Sequence, residues 1–265
     1  MENYLEINKS AWNKKVPVHL ESEFYDFENF LKGKQSLKEI ELGLLGDVQG
    51  KKILHLQCHF GQDSISLARM GAEVTGVDFS EKAIDTAIET AKMLNLDVRF
   101  ICCDVYQLQE KLNEKFDVVF ATYGTIGWLP DMERWAQTID TFLKPGGRLI
   151  FAEFHPAVWM LNDEFSEISY SYFNTGPIVE TYSGSYADKK ADLKEEYVMW
   201  NHSISEVLGA LLAHGLAITQ FHEYDFSPYP CFNNTIETEP GRFMIRGLEK
   251  KLPMVYAFVA EVKRG

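Results

Sequence analysis

Between Lys51 and Glu153, short apolar runs recur at even intervals, and each stops at a polar or glycine-containing loop. The runs are Ile53–Leu56, Glu73–Val77, Val98–Ile101, Asp117–Ala121 and Arg148–Ala152, the last entered through Lys144-Pro145-Gly146-Gly147. After the second run, Ala83, Ile84, Ala87, Ile88, Ala91 and Leu94 repeat at the spacing of one helix face, with Ser80 as N-cap. Ser64 to Met70 reads as a shorter helix ended by Gly71. A parallel return between strands needs a crossover, and a helix of this length supplies it. The pattern therefore predicts βαβ units and a doubly wound, mostly parallel α/β sheet with helices on both faces.

The rhythm breaks after Glu153. Residues 155–200 are rich in Tyr, Ser and Thr, with Gly176-Pro177 and Gly184 as turn signals, which suggests an insertion built on a small antiparallel hairpin. Helical spacing resumes from Ser203 to Gly215, and Leu216–His222 and Val255–Val262 read as two further strands. Residues 1–50 form a polar-aromatic, helix-prone extension. The expected organisation is thus 1–50 as a helical extension or lid and 51–265 as the main domain, interrupted by the insertion.

Charge narrows the partners. Lys and Arg number 26 against 39 Asp and Glu, for a formal net charge of −13. Such a surface repels phosphate backbones and anionic lipid, and no Lys/Arg cluster interrupts it, so neither nucleic acid nor a membrane is the expected partner. The start of the chain is acidic and lacks an apolar signal region, and no run is long enough to span a bilayer. The four cysteines form no CxxC pair, so neither a metal site nor a disulfide framework is expected. These readings point to a cytoplasmic protein, monomeric or homodimeric, with a small-molecule substrate.

In a doubly wound sheet the ligand sits at the carboxyl ends of the strands. Gln57-Cys58-His59-Phe60-Gly61-Gln62-Asp63 follows the first strand, Asp78-Phe79-Ser80 the second and Asp104-Val105 the third. Asp78, one strand over from a glycine-containing turn, is placed to accept both hydroxyls of a ribose. Asp104 is placed to accept from an adenine amino group. A dinucleotide needs G-x-G-x-x-G, because its pyrophosphate lies on the backbone at the helix N-terminus. Here Gln57 and His59 occupy two of those glycine positions. S-adenosylmethionine carries no phosphate and fits the layout better.

These segments resemble those of class I S-adenosylmethionine-dependent methyltransferases. ILHLQCHFGQDS is similar to the first motif of that family, VTGVDFS to the second, CCDVY to the third, FDVVFATYG to the fourth and LKPGGRLIFAE to the fifth. The first motif is closest to a bacterial subgroup that writes its glycine run as LQCHFGQDS. Most members carry an acidic residue where His55 stands. The resemblance implies a seven-stranded, Rossmann-like methyltransferase fold whose last two strands form an antiparallel hairpin at one edge. It also implies S-adenosylmethionine as cofactor. The backbone from Gln57 to Gly61 would contact the methionine half, Asp78 the ribose, and Asp104 with Val105 the adenine. Cys58, Asp63, Phe79, Ser80, Ala121 and Tyr123 complete the implied cofactor set.

His155, after the fifth strand, is the candidate general base, with Tyr123 beside it as a second catalytic candidate. Trp12, His19 and Tyr25 are placed to cover the site, and Tyr186, Trp200 and His202 to contact the substrate from the insertion. For each of these the alternative is plain packing. At the level of the whole chain, the alternatives to a methyltransferase are a non-catalytic binder of S-adenosylmethionine or its product, and a nicotinamide-dependent oxidoreductase.

Overall fold

The five apolar runs become strands of one sheet in a computed structural model, which describes residues 3–262. They are β1 (Lys52–Leu56), β2 (Glu73–Asp78), β3 (Val98–Cys102), β4 (Phe116–Thr122) and β5 (Leu143–Phe154). Two later strands, β8 (Leu216–Tyr224) and β11 (Val255–Val262), complete a seven-stranded sheet in the order β3-β2-β1-β4-β5-β11-β8. Only β11 runs antiparallel to its neighbours, β5 and β8. The strand order reverses between β1 and β4, so the loops that leave these two strands flank one crevice. The Lys144–Gly147 turn lies within the span of β5, where the register against β4 slips.

Side chains alternate across the sheet, as strand pleating requires. Leu54, Val119, Ala121, Leu149 and Phe151 face a layer formed with α6 (Met132–Phe142) and α7 (Ile204–Ala213). Ile53, Val118, Phe120 and Ile150 face the opposite layer, with α3 (Glu39–Leu45). Between β1 and β3 the crossovers are α4 (Gln62–Arg69) and α5 (Glu81–Met93). Ser80 caps α5 by accepting the Ala83 N–H.

Three additions surround the carboxyl edge of the sheet. The extension supplies α1 (Tyr4–Glu21), α2 (Phe27–Leu31) and α3. The stretch between β5 and α7 supplies an antiparallel pair, β6 (Ile178–Ser183) and β7 (Lys194–Met199). A second pair, β9 (Thr235–Glu239) and β10 (Arg242–Ile245), lies between β8 and β11. The last two sheet strands are therefore not joined by a simple hairpin. The sequence signal for β9 and β10 is the Pro240-Gly241 turn, with Gly241 at φ 75°. Among the described residues, no helix is long and apolar enough to cross a membrane.

Asn8 joins two of these additions. Its amide is buried, donates to the Val198 carbonyl at 2.8 Å and accepts the Val198 N–H at 2.9 Å. One side chain thus satisfies a full peptide group of β7 and fixes α1 against the inserted hairpin. Asn8→Ala should strand a buried donor and a buried acceptor, at about 1–3 kcal/mol each. Chemical denaturation should show a loss of several kcal/mol; a loss no larger than that of an exposed substitution would mean that the pairing is not formed.

Candidate active site

The loop after β1 keeps the backbone of a glycine-rich turn although only one glycine remains. Gln57, His59 and Gly61 have φ of 54°, 51° and 81°. Placing a non-glycine residue in this region costs roughly 1–2 kcal/mol. Gly61 has no alternative, because a Cβ there would lie 2.8 Å from Ala87 Cβ and from the Phe100 ring. Three hydrogen bonds hold the loop: His59 N–H to Asp78 Oδ2 at 2.9 Å, Cys58 N–H to the Val77 carbonyl at 2.9 Å, and Gln57 Nε2 to the Thr125 carbonyl at 2.8 Å. Cys58 is a buried wall element whose Sγ packs over Gly76. His55 lies buried within β1, its Nδ1 2.8 Å from Ser64 Oγ, and burial depresses its pKa to about 3.

Asp78 ends β2 in the crevice. Burial pushes its carboxyl up to about 6, against the pull of the Ser80 and His59 N–H groups. The Phe79 N–H adds to that pull. Asp104 accepts the Tyr106 N–H at 3.0 Å and lines a small cavity of about 30 Å³ with Val105, Phe79 and Leu129. Tyr4, Leu5 and Asn8 of α1 close that cavity from above.

Glu153, at the end of β5, gathers the chain leaving β4. Its carboxylate accepts from the backbone of Gly124, Thr125, Ile126 and Phe154 and from the Thr125 hydroxyl. This arrangement holds Tyr123 at φ 47°, on the wall of the main cavity. Strained non-glycine residues of this kind cluster at functional sites, and here Gln57, His59 and Tyr123 border a single crevice. The Tyr123 hydroxyl donates to Glu41 Oε2 at 2.8 Å. Glu41 is fully buried in α3, and its other oxygen accepts the Lys38 N–H at 2.5 Å. Desolvation and the nearby Asp63 raise the Glu41 carboxyl to about 7.

The main cavity measures about 990 Å³ and lies between the carboxyl edge of the sheet, α1 and the insertion. Of the sequence candidates it brings together Gln57, Cys58, His59, Gly61, Asp63, Asp78, Phe79, Tyr123, Trp12, Tyr25, Tyr186, Trp200 and His202. His19 stands just behind, its ring 5.1 Å from those of Tyr25 and His59 and its Nε2 2.6 Å from Ser185 Oγ. Trp200 packs edge-on against Tyr4, and His202 donates through Nε2 to the Leu129 carbonyl.

Three expectations need correction. His155 does not line the cavity: its Nδ1 accepts the Ala157 N–H, its Nε2 lies 3.0 Å from Glu223 on β8, and its ring packs edge-on against Tyr256. Its ring faces β8 and β11 rather than the crevice. Ala121 points into the α6/α7 layer, because strand alternation sends Thr122 toward the cavity instead. Ser80 is used up as a cap, with its hydroxyl on Asn13 Oδ1 at 2.6 Å.

Sequence reasoning missed Lys15, Glu41, Glu153 and Tyr197. For Lys15 the signal was available: it lies three residues after Trp12 and four before His19, on the same helix face. Glu41 carries no comparable signal, since its partner Tyr123 is remote in the chain.

Residues 53–147 match the family described as a methyltransferase domain. A ubiquinone biosynthesis O-methyltransferase of Coxiella burnetii is 34% identical over 105 residues, which are 40% of this chain and 44% of that protein. The chain thus spans less than half the length of that relative. An uncharacterized protein of Haemophilus influenzae is 26% identical over 243 residues, 84% of this chain and 91% of that one. Among solved structures, an S-adenosylmethionine-dependent methyltransferase from Mesorhizobium loti superposes with a TM-score of 0.60 at 22% identity, covering 87% of this chain and 99% of that one. The fold is the Rossmann-like one of S-adenosylmethionine-dependent methyltransferases. Residues 53–147 carry the similarity to a methyltransferase domain, and the solved structures carry the fold.

Glu41→Gln tests the buried acid directly, because the amide still reaches both Lys38 N–H and Tyr123. A carboxyl raised from 4.5 to about 7 on folding holds its proton better in the native state. Its stabilisation is complete below pH 4.5 and is lost as pH rises through about 7, by about 3 kcal/mol in all. Melting temperature of the variant minus that of the parent should therefore rise between about pH 5 and about pH 8. A difference that stays flat across that range would place the Glu41 pKa near its ordinary value.

Proposed function

We propose that this protein transfers a methyl group from S-adenosylmethionine to a small molecule held in the main cavity. The observation that carries the reading is Asp78. It is a buried carboxylate at the end of β2, set beside a left-handed turn with side chains at Gln57 and His59. That arrangement suits a ribose without a pyrophosphate. The LQCHFGQDS motif supports membership in the bacterial subgroup with that motif.

When bound, S-adenosylmethionine supplies an already electrophilic methyl group on a sulfonium. The chain has to orient the acceptor and exclude water. Backbone from Gln57 to Gly61 would hold the methionine half, Asp78 the ribose hydroxyls, and Asp104 with Val105 and Phe79 the adenine. The small cavity beside Asp104 is smaller than a purine, so the first turns of α1 must shift to admit one. Trp12, Tyr25, Tyr186, Trp200 and His202 would then border the acceptor. Where the acceptor atom carries a proton, Tyr123 is the group on the cavity wall placed to take it while passing its own proton to Glu41. The name of the Coxiella burnetii relative makes an oxygen acceptor the first to try.

S-adenosylhomocysteine at about 100 times its dissociation constant should stabilise the protein by about 2.7 kcal/mol, and NAD should not. A melting shift with NAD alone would sink the proposal. Asp78→Ala should weaken S-adenosylhomocysteine far more than Asp104→Ala, because two charge-assisted bonds of roughly 1.5–3 kcal/mol each are at stake. Titration calorimetry of both variants decides this; equal losses would remove Asp78 from the ribose site.

A further inference from the structure

The wall that α1 turns toward the insertion is crowded with polar atoms that have nothing to bond. Trp12 Nε1, Tyr197 Oη, His19 Nδ1, His59 Nε2 and Gln57 Oε1 are all buried without a hydrogen-bond partner. Among them stands Lys15, a lysine only 5% exposed that lines the cavity. Its Nζ lies 4.3 Å from the centre of the Tyr197 ring and 4.7 Å from that of Trp12, with Tyr186 at 5.6 Å and Trp128 at 5.8 Å. The one carboxylate whose field reaches it, Glu195, is engaged by Lys14 at 2.9 Å. A buried ammonium held only by ring faces is costly, and so are buried polar atoms left unpaired. Together they describe a site whose missing component is a ligand.

Resting on the methyltransferase reading, we propose that this wall binds a carboxylate, with Lys15 Nζ forming the ion pair and Trp12 Nε1 and Tyr197 Oη donating the flanking hydrogen bonds. Indole N–H and ammonium are donors only, so their natural complement is an acceptor. The aromatic box would otherwise suit a cationic ligand, but Lys15 already occupies it and would repel a second cation. A single cation, with no arginine beside it among the described residues, matches one negative charge better than a phosphate dianion. Burial lowers the Lys15 pKa to about 8, which leaves it charged at neutral pH.

Two molecules in this reaction can bring a carboxylate to the wall: the amino-acid end of the cofactor, or an acceptor that is itself an acid. Lys15→Met keeps the apolar stem within the rings and removes the charge. Calorimetry of parent and variant should use S-adenosylhomocysteine against 5′-methylthioadenosine, which lacks the amino-acid end. It should then use 4-hydroxybenzoate against 4-hydroxybenzamide, each with and without saturating S-adenosylhomocysteine. One acid should lose about ten- to a hundredfold in affinity in the variant while its neutral counterpart is unchanged. Loss confined to S-adenosylhomocysteine assigns the wall to the cofactor, and loss confined to 4-hydroxybenzoate assigns it to the acceptor. Unchanged affinity for both acids, or a parent that binds neither, overturns the proposal. Lys15-dependent binding of 4-hydroxybenzoate by a parent that ignores S-adenosylhomocysteine would instead overturn the methyltransferase reading and leave the carboxylate site standing. If Lys15→Met fails to fold, Lys15→Gln replaces it, with Lys15→Arg expected to retain most of the affinity.

Discussion

The carboxylate of Glu153 determines how the centre of the sheet ends. A strand that stops inside a protein leaves backbone N–H groups that water no longer reaches, and each must find an acceptor. Glu153 takes those of Gly124, Thr125 and Ile126 at once, together with its own neighbour Phe154. The chain leaving β4 is thereby pinned across the end of β5, and Tyr123 is held in a left-handed conformation on the cavity wall. From there Gln57 reaches the Thr125 carbonyl, and the β1 loop is tied to the same frame. The β1 loop is thus bonded directly to the β4 loop, and the β4 loop to the buried Glu153 carboxyl.

The extension and the insertion act as one body over that crevice. Asn8 bonds α1 to β7, Lys14 pairs with Glu195, and Tyr25 bonds to Tyr186 through their hydroxyls. Aromatic rings fill most of the space between them, so the cavity has apolar walls with a few polar atoms at fixed positions. That combination is the usual make-up of a small-molecule site, in which apolar area supplies affinity and sparse polar groups fix orientation. Asp63 and Glu41 lie toward α3 and α4, while Lys15 lies among rings on the α1 side.

How much of this was legible beforehand follows from which forces are local. Strand alternation and helix spacing are properties of neighbouring residues, so β1 to β5, α5 and α7 follow from the amino-acid order, and so do the loops that end them. The places of Gly61 and Asp78 on the cavity wall were legible because backbone geometry at a strand end repeats wherever this sheet is built. His155 was misjudged for a complementary reason. Position after a strand says which edge a residue occupies, but its ring direction was decided by Glu223 and Tyr256, which lie far away in the chain. Ala121 failed by a single step of the strand period, which exchanges core for cavity.

The sequence by itself therefore determined the sheet, its crossovers and the position of the carboxyl-edge loops, because these arise from local periodicity and from turns that only certain residues allow. Tertiary structure alone decided which side chains meet across the cavity. Glu41 acquires its partner Tyr123 when α3 packs beside β5 and β11, and Lys15 acquires its ring of aromatics when α1 is pinned by Asn8 to a hairpin far along the chain. Both groups are ordinary surface residues in an isolated helix. Burial without water is what raises one carboxyl, leaves one ammonium unpaired and turns each toward chemistry, and burial is a property of the packed whole.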